Sequence, residues 1–145
     1  MGSIAERVAR ARAGNDASVV SRVPSGWVVM GDVQFLPGYC LLLPDPVVPT
    51  LNALSGAERA AFLADMAALG DAVLAVTRAV RINYAIFGNQ DPALHAHVIP
   101  RYHDEPAPYA TAQPWAYDWE KAPAFDAERH RELRDRIHAE LGKIA

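Results

Sequence analysis

The sequence predicts an α+β domain: an antiparallel sheet of about five strands, one long central helix and a C-terminal helix. Three observations carry this. Short apolar runs of strand type recur between Pro- and Gly-containing turns. One long segment carries an apolar stripe at helical spacing. A second such stripe lies near the C-terminal end. The chain has 145 residues, which suits one domain with a full core (1-145), its signature core at about 18-105 and a wrapping segment plus helix at 106-145.

The elements follow in order. Ser3 to Ala13 suits a short amphipathic helix with Ile4, Val8 and Ala11 on one side, ended by Gly14-Asn15-Asp16. Ser18 to Val23 is a first strand, Pro24-Ser25-Gly26 a turn, and Trp27 to Met30 a second strand ended by Gly31-Asp32. Pro37-Gly38 turns the chain into Tyr39–Leu43, apolar throughout and so read as buried on both faces. Pro44, Pro46 and Pro49 then exclude regular structure until about Thr50. Ser55-Gly56-Ala57-Glu58 fits a capping box that opens a helix from Gly56 to Val80, with Phe62, Met66, Leu69, Val73, Val76 and Val80 as its stripe. Ile82 to Phe87 is a fourth strand, Gly88 to Pro92 a polar turn, and Ala93 to Pro100 a fifth strand that closes an antiparallel hairpin. Tyr102 to Pro123 is too apolar for a free linker and too proline-rich for a regular element, so it wraps over the domain. Phe125 to Ile144 is a last helix with Leu133, Ile137, Leu141 and Ile144 on one side.

Bulk properties exclude several classes. The apolar share of 51% and charged share of 21% are those of an ordinary soluble protein, and the net charge of −3 gives no footprint for a nucleic acid polymer. No apolar run approaches the ~20 residues that cross a bilayer. The N-terminal stretch, with Arg7, Arg10 and Arg12 among alanines, lacks the apolar core of a signal peptide, so a cytoplasmic location is expected. Cys40 is the only cysteine and reads as a small apolar core residue.

The most informative stretch is Leu94-His95-Ala96-His97-Val98-Ile99-Pro100-Arg101. On a strand, residues i and i+2 share a face, so Ala93, His95, His97 and Ile99 point one way and Leu94, Ala96 and Val98 the other. Two groups that titrate near neutral pH are thus presented together. A neutral imidazole is a good nucleophile toward phosphorus, and a second one can support charge on a phosphoryl oxygen, with Arg101 available to phosphate. The same pair is half of a metal site, which needs at least a third ligand, for instance from His103 to Glu105. Two histidines bonded to backbone or water are the third reading, and spacing alone does not choose.

The run from Asn83 to Tyr102, NYAIFGNQDPALHAHVIPRY, resembles the signature strand pair of the histidine triad (HIT) superfamily of nucleotide hydrolases and transferases. The order of elements upstream, with Pro37-Gly38-Tyr39, a strand ending in Pro44 and a capped helix, resembles that family too. The resemblance implies a HIT-like fold. It also marks a departure: this chain has two histidines where the family has three. Anchored on Pro100-Arg101, His97 takes the third position, His95 the second and Ala93 the first; the other register puts Ile99 third and makes His97 the nucleophile. The first fits without a gap, so the resemblance implies His95 as nucleophile and His97 as its supporting donor. A second departure is Asp45-Pro46-Val47 after Pro44, where many relatives carry a basic residue and a histidine.

By the same resemblance, Asn89, or its neighbour Gln90, is expected near the phosphate, and Asp32, after a one-residue shift, on ribose hydroxyls. Trp115 and Trp119 are candidates for stacking on a base or covering a dimer partner. The implied function is a phosphohydrolase or nucleotidyltransferase acting at the α-phosphate of a nucleoside phosphoramidate or dinucleoside polyphosphate through a nucleotidyl-histidine intermediate. No cofactor is required and no metal residue is assigned. The alternatives are a nucleotide-binding protein with little catalysis and a metal-site protein. The expected partners are a small-molecule nucleotide and a second copy of the chain, since the central helix has Ala60, Leu63 and Leu74 outside its main stripe.

Overall fold

The structure, a computed structural model, describes residues 2–144. Its centre is a five-stranded antiparallel sheet built from β1 (Val19–Val23), β2 (Gly26–Met30), β3 (Cys40–Pro44), β4 (Arg81–Ala85) and β5 (Ala96–Arg101). The spatial order is β1-β2-β3-β5-β4, so β5 is inserted between β3 and the edge strand β4. Helices α2 (Gly56–Val76) and α4 (Arg131–Ile144) cover one face. Helix α1 (Ile4–Ala13) and the segment after β5, with its one-turn helix α3 (Ala107–Ala110), cover the other.

Alternation along the strands sorts the core into these two layers. Val28, Met30, Cys40, Leu42, Ala96 and Val98 pack against Phe62, Leu69 and Val73 of α2 and Ile137 and Leu141 of α4. Val29, Leu41, Leu43 and Ile99 pack with Ile4 and Val8 of α1 and with Tyr39. A strand covered on both faces has no solvated side, which is why β3 is apolar at every position and buried throughout. Cys40 is fully buried, and its thiol is pushed up to about 12 by that burial, as a core residue requires.

Helix termini follow local chemistry. Ser3 caps α1 by accepting from the Glu6 N–H, and Gly14 ends it in the left-handed conformation at φ 75°. The expected capping box forms at α2: Ser55 Oγ accepts from Glu58 N–H and the Glu58 carboxylate accepts from Ser55 N–H.

Several boundaries differ from expectation, among them the fourth strand, which ends at Ala85 and not Phe87. Helix α2 stops at Val76, not Val80, because Thr77 leaves the helical conformation for an extended one (φ −108°, ψ 178°), its hydroxyl donating to the Val73 carbonyl and accepting the Ala79 N–H. Val80 is then free to donate its N–H to Arg101 and leaves the stripe, 38% exposed. Helix α4 starts at Arg131, not Phe125, because Ala124 bridges Val33 and Phe125 N–H bonds the Asp32 carbonyl. Ile144, expected on the inner side of α4, is exposed. The fifth strand starts at Ala96, not Ala93, since Ala93 and Leu94 donate their N–H groups to Asp91 and Val48 outside the ladder. Pro44 also differs, standing as the last residue of β3 opposite Gly26.

Candidate active site

His97 is placed by sheet register. It pairs with Leu41 of β3 and Ala85 of β4, and points to the face that carries α1. His95 lies one residue before β5 on the same side, its ring centroid 5.0 Å from that of His97. The expected face-sharing survives although the strand begins later, because Ala93 and Ile99 join one core layer while Leu94, Ala96 and Val98 join the other.

The two imidazoles are held differently. His95 Nδ1 lies 2.8 Å from the Ala93 carbonyl. A carbonyl only accepts, so Nδ1 carries the proton and the neutral ring keeps its lone pair on Nε2. His97 Nδ1 lies 2.7 Å from the hydroxyl of Tyr39, and its ring is mostly buried. Burial first, then the neighbouring His95, lowers its pKa to about 4, so it is neutral near pH 7.

Tyr39 was not among the residues expected at the site. It reads as the first residue of an apolar strand, and only the pairing of β3 with β5 sets it beside His97. Its ring is 4% exposed and lies over Gly31, where a Cβ would stand 2.3 Å from the ring; only glycine leaves that room. Burial and the charge of Asp32 raise its pKa, so the hydroxyl stays protonated. The one sequence signal was parity, since Tyr39, Leu41 and Leu43 share a face.

The other expected residues scatter. Arg101 needs correcting as a phosphate ligand. It is buried, and its guanidinium donates to both oxygens of Glu105, to Asn83 and to the carbonyls of Tyr109 and Ala112. Four residues along β5 also put it ~13 Å from His97. Asp32 pairs with buried Arg7 at 3.4 Å and lies close enough to Tyr39 to act on its hydroxyl. Asn89 and Gln90 are exposed in the turn between β4 and β5. That turn is anchored to the N-terminus of α1 by Asp91, whose carboxylate accepts the Ile4 N–H at 2.7 Å. The metal reading lacks its third ligand: among the described residues no three His, Cys, Asp or Glu side chains converge. Glu105 is occupied by Arg101, Tyr102 N–H and Tyr117, and His103 and Asp104 are exposed.

Residues 13–104 match the sequence model of the HIT domain. The chain belongs to the HIT family.

Solved structures agree on the fold. This HIT protein is similar to a histidine triad protein from Marinobacter aquaeolei, with 20% identity and a TM-score of 0.76 over 97% of this chain and 96% of the other. It is similar to one from Sinorhizobium meliloti, with 21% identity and a TM-score of 0.74 over 93% of each chain. A third similar structure, from Sulfolobus tokodaii, is described as a hypothetical histidine triad nucleotide-binding protein; it shares 12% identity and a TM-score of 0.73 over 94% of this chain and 91% of that one. A comparison with curated proteins finds no match. Ala93, the residue that the resemblance sets at the first histidine position, is 8% exposed and packed in the core layer with Leu41 and Ile99.

Proposed function

We propose that this HIT protein binds a small nucleotide and is a phosphohydrolase or nucleotidyltransferase acting through His95. One observation carries the reading: the Ala93 carbonyl fixes the His95 tautomer that leaves Nε2 unprotonated beside a second, neutral imidazole. In the first step Nε2 attacks the α-phosphorus of a nucleoside phosphoramidate or dinucleoside polyphosphate, the N–P bond to His95 forms, and the bond to the leaving group breaks with its electron pair going to the leaving nitrogen, which takes a proton from solvent and departs as the amine, or to the leaving phosphate oxygen. In the second step water attacks phosphorus, the N–P bond breaks, and the nucleotide leaves while the water gives up a proton to solvent. With the Tyr39 hydroxyl donating to Nδ1, His97 presents Nε2–H as a donor to a phosphoryl oxygen. Asn89 or Gln90 would reach the phosphate from the turn, and Asp32 the ribose hydroxyls.

The test is turnover of an adenosine phosphoramidate, with mass spectrometry of the quenched protein. An adenylylated peptide containing His95 and loss of at least ~100-fold in rate in His95→Ala are expected. A His95→Ala protein as active as wild type sinks the assignment. Ala93 favours a second reading, nucleotide binding with little catalysis. Tight binding of a mononucleotide with no turnover and no adduct selects it.

We also propose a homodimer through α2 and the edge strand β4. Leu63 and Leu74 on α2 and Tyr84 on β4 are 37%, 38% and 43% exposed, which supports a covered face there. Light scattering is expected to show twice the chain mass, and a monomer at micromolar concentration contradicts it.

A further inference from the structure

Between β2 and β3 the chain makes a loop, residues 31–39, that ends on Tyr39, the residue bonded to His97. Met30 and Cys40 are the last paired residues, and the ladder gives one more bond beyond them, from the Gly31 N–H to the Tyr39 carbonyl at 2.9 Å. Past that point the loop has no strand to bond, and a buried side chain takes over. Gln34 is 3% exposed. Its Nε2 donates to the Gly31 and Tyr39 carbonyls, each at 2.9 Å, and its Oε1 accepts the Gly38 N–H at 3.0 Å. Both N–H groups of the amide and its oxygen are therefore engaged, all with the loop itself. The Gln34 backbone N–H bonds the Pro123 carbonyl at 2.7 Å, so the wrapping segment holds the residue from outside. An apolar side chain could fill the same space, but it would leave the Gly31 carbonyl and the Gly38 N–H without these partners.

This clamp acts on Tyr39. The Tyr39 carbonyl is held from two sides, and its N–H bonds the Leu36 carbonyl at 3.1 Å. Its ring lies over Gly31 and meets Phe35 and Trp119 edge-on, with centroids at 5.9 and 5.7 Å. Among the described residues its hydroxyl bonds only Nδ1 of His97, at 2.7 Å. A buried hydroxyl that donates is satisfied, whereas one that only accepts leaves its proton without a partner. The hydroxyl therefore donates, and Nε2 carries the His97 proton. We propose that Gln34 is a positioning residue: by fixing Tyr39 in the loop it sets the hydroxyl on His97, and with it the tautomer that offers Nε2–H to the substrate. The proposal rests on the reading of the His pair given above. Gln34 acts only through Tyr39, since its amide bonds are all to backbone of the loop. A plain staple of the loop would change stability alone, whereas a positioning residue also changes the protonation pattern of His97.

Nitrogen NMR of the imidazole side chains reads the tautomer without turnover. In the wild-type protein near neutral pH, His97 is expected in the Nε2–H form. Gln34→Met fills the space and makes none of the amide's bonds, so it is expected to shift His97 toward a mixture of both tautomers. It is also expected to lower kcat on an adenosine phosphoramidate about 10- to 100-fold while KM moves less than about 3-fold. Gln34→Asn carries the amide on a side chain one methylene shorter. It is expected to move both readouts the same way by less, and it carries the test if the methionine variant does not fold. Leu69→Ala, in the core layer on the other face of the sheet, is the control: it lowers the melting temperature and is expected to leave tautomer and kcat as they are. A wild-type His97 in the Nδ1–H form overturns the proposal. So do folded Gln34 variants that lose melting temperature, as Leu69→Ala does, but keep the wild-type tautomer and kcat. A tautomer shift in a protein that transfers no nucleotidyl group overturns the catalytic reading alone, and turnover through His95 with a His97 indifferent to Gln34 overturns the positioning role alone.

Discussion

His97 has lost most of its water and faces Tyr39 and His95, with no carboxylate bonded to it. In the unfolded chain its ring takes a proton below a pKa of ~6.5, whereas in the folded protein it does so only at about 4. The folded state therefore keeps its full stability above pH ~6.5 and loses part of it as pH falls from ~6.5 toward 4. Urea melts at pH 7.5 and pH 5 are expected to show a larger loss for the wild-type protein than for His97→Gln. Tyr39→Phe keeps the ring over Gly31 and removes one hydrogen bond, so it should cost about 1 kcal/mol. On the proposed mechanism it also lowers kcat more than it raises KM, because the donor at His97 is no longer oriented. Steady-state kinetics on a phosphoramidate would read this, and an unchanged kcat would remove Tyr39 from the site.

At the scale of the element, helix boundaries marked by adjacent cap residues were legible, as at both ends of α1 and the start of α2, whereas the end of α2 and the start of α4 were not. The α2 capping box is written in four adjacent residues, and Ser55→Ala is expected to cost about 1 kcal/mol in thermal melts. Its end is set by the extended backbone at Thr77, whose hydroxyl accepts the Ala79 N–H, a choice that the continuing apolar spacing to Val80 hides. The wrapping segment has no periodicity to read, and its anchor is the buried pair of Arg101 and Glu105. Glu105→Ala leaves the Arg101 charge buried without its partner and should cost about 3–5 kcal/mol. Glu105→Gln, which keeps part of the hydrogen bonding, should cost less. Limited proteolysis is expected to cut the alanine variant first within residues 106–123, beside Trp115.

Across the whole molecule, the sheet is the middle of three layers, and the His pair lies on the face shared by α1 and the wrapping segment. Helix α1 therefore braces the site from a distance in sequence. Its first N–H is held by Asp91 in the turn before His95, and its Arg7 pairs with Asp32. Removal of residues 2–13 is expected to speed hydrogen exchange across the turn at 88–94 and to lower nucleotide affinity. Exchange there that matches the full chain would show that α1 only covers the core.

What the sequence determined by itself was local. Alternation along a strand is a property of neighbouring residues, so the shared face of His95 and His97 and the two-sided burial of Cys40 to Leu43 could be read before any fold was known. Adjacent residues also specify a cap. Partners are long-range, and only the tertiary structure decided them. Arg101 looked free for phosphate until a glutamate and two carbonyls of the wrapping segment closed on it, and Tyr39 looked like core until β3 paired with β5. A side chain's chemistry is carried in the sequence, but what it bonds depends on which strands lie side by side, and that is settled by burial across the whole sheet.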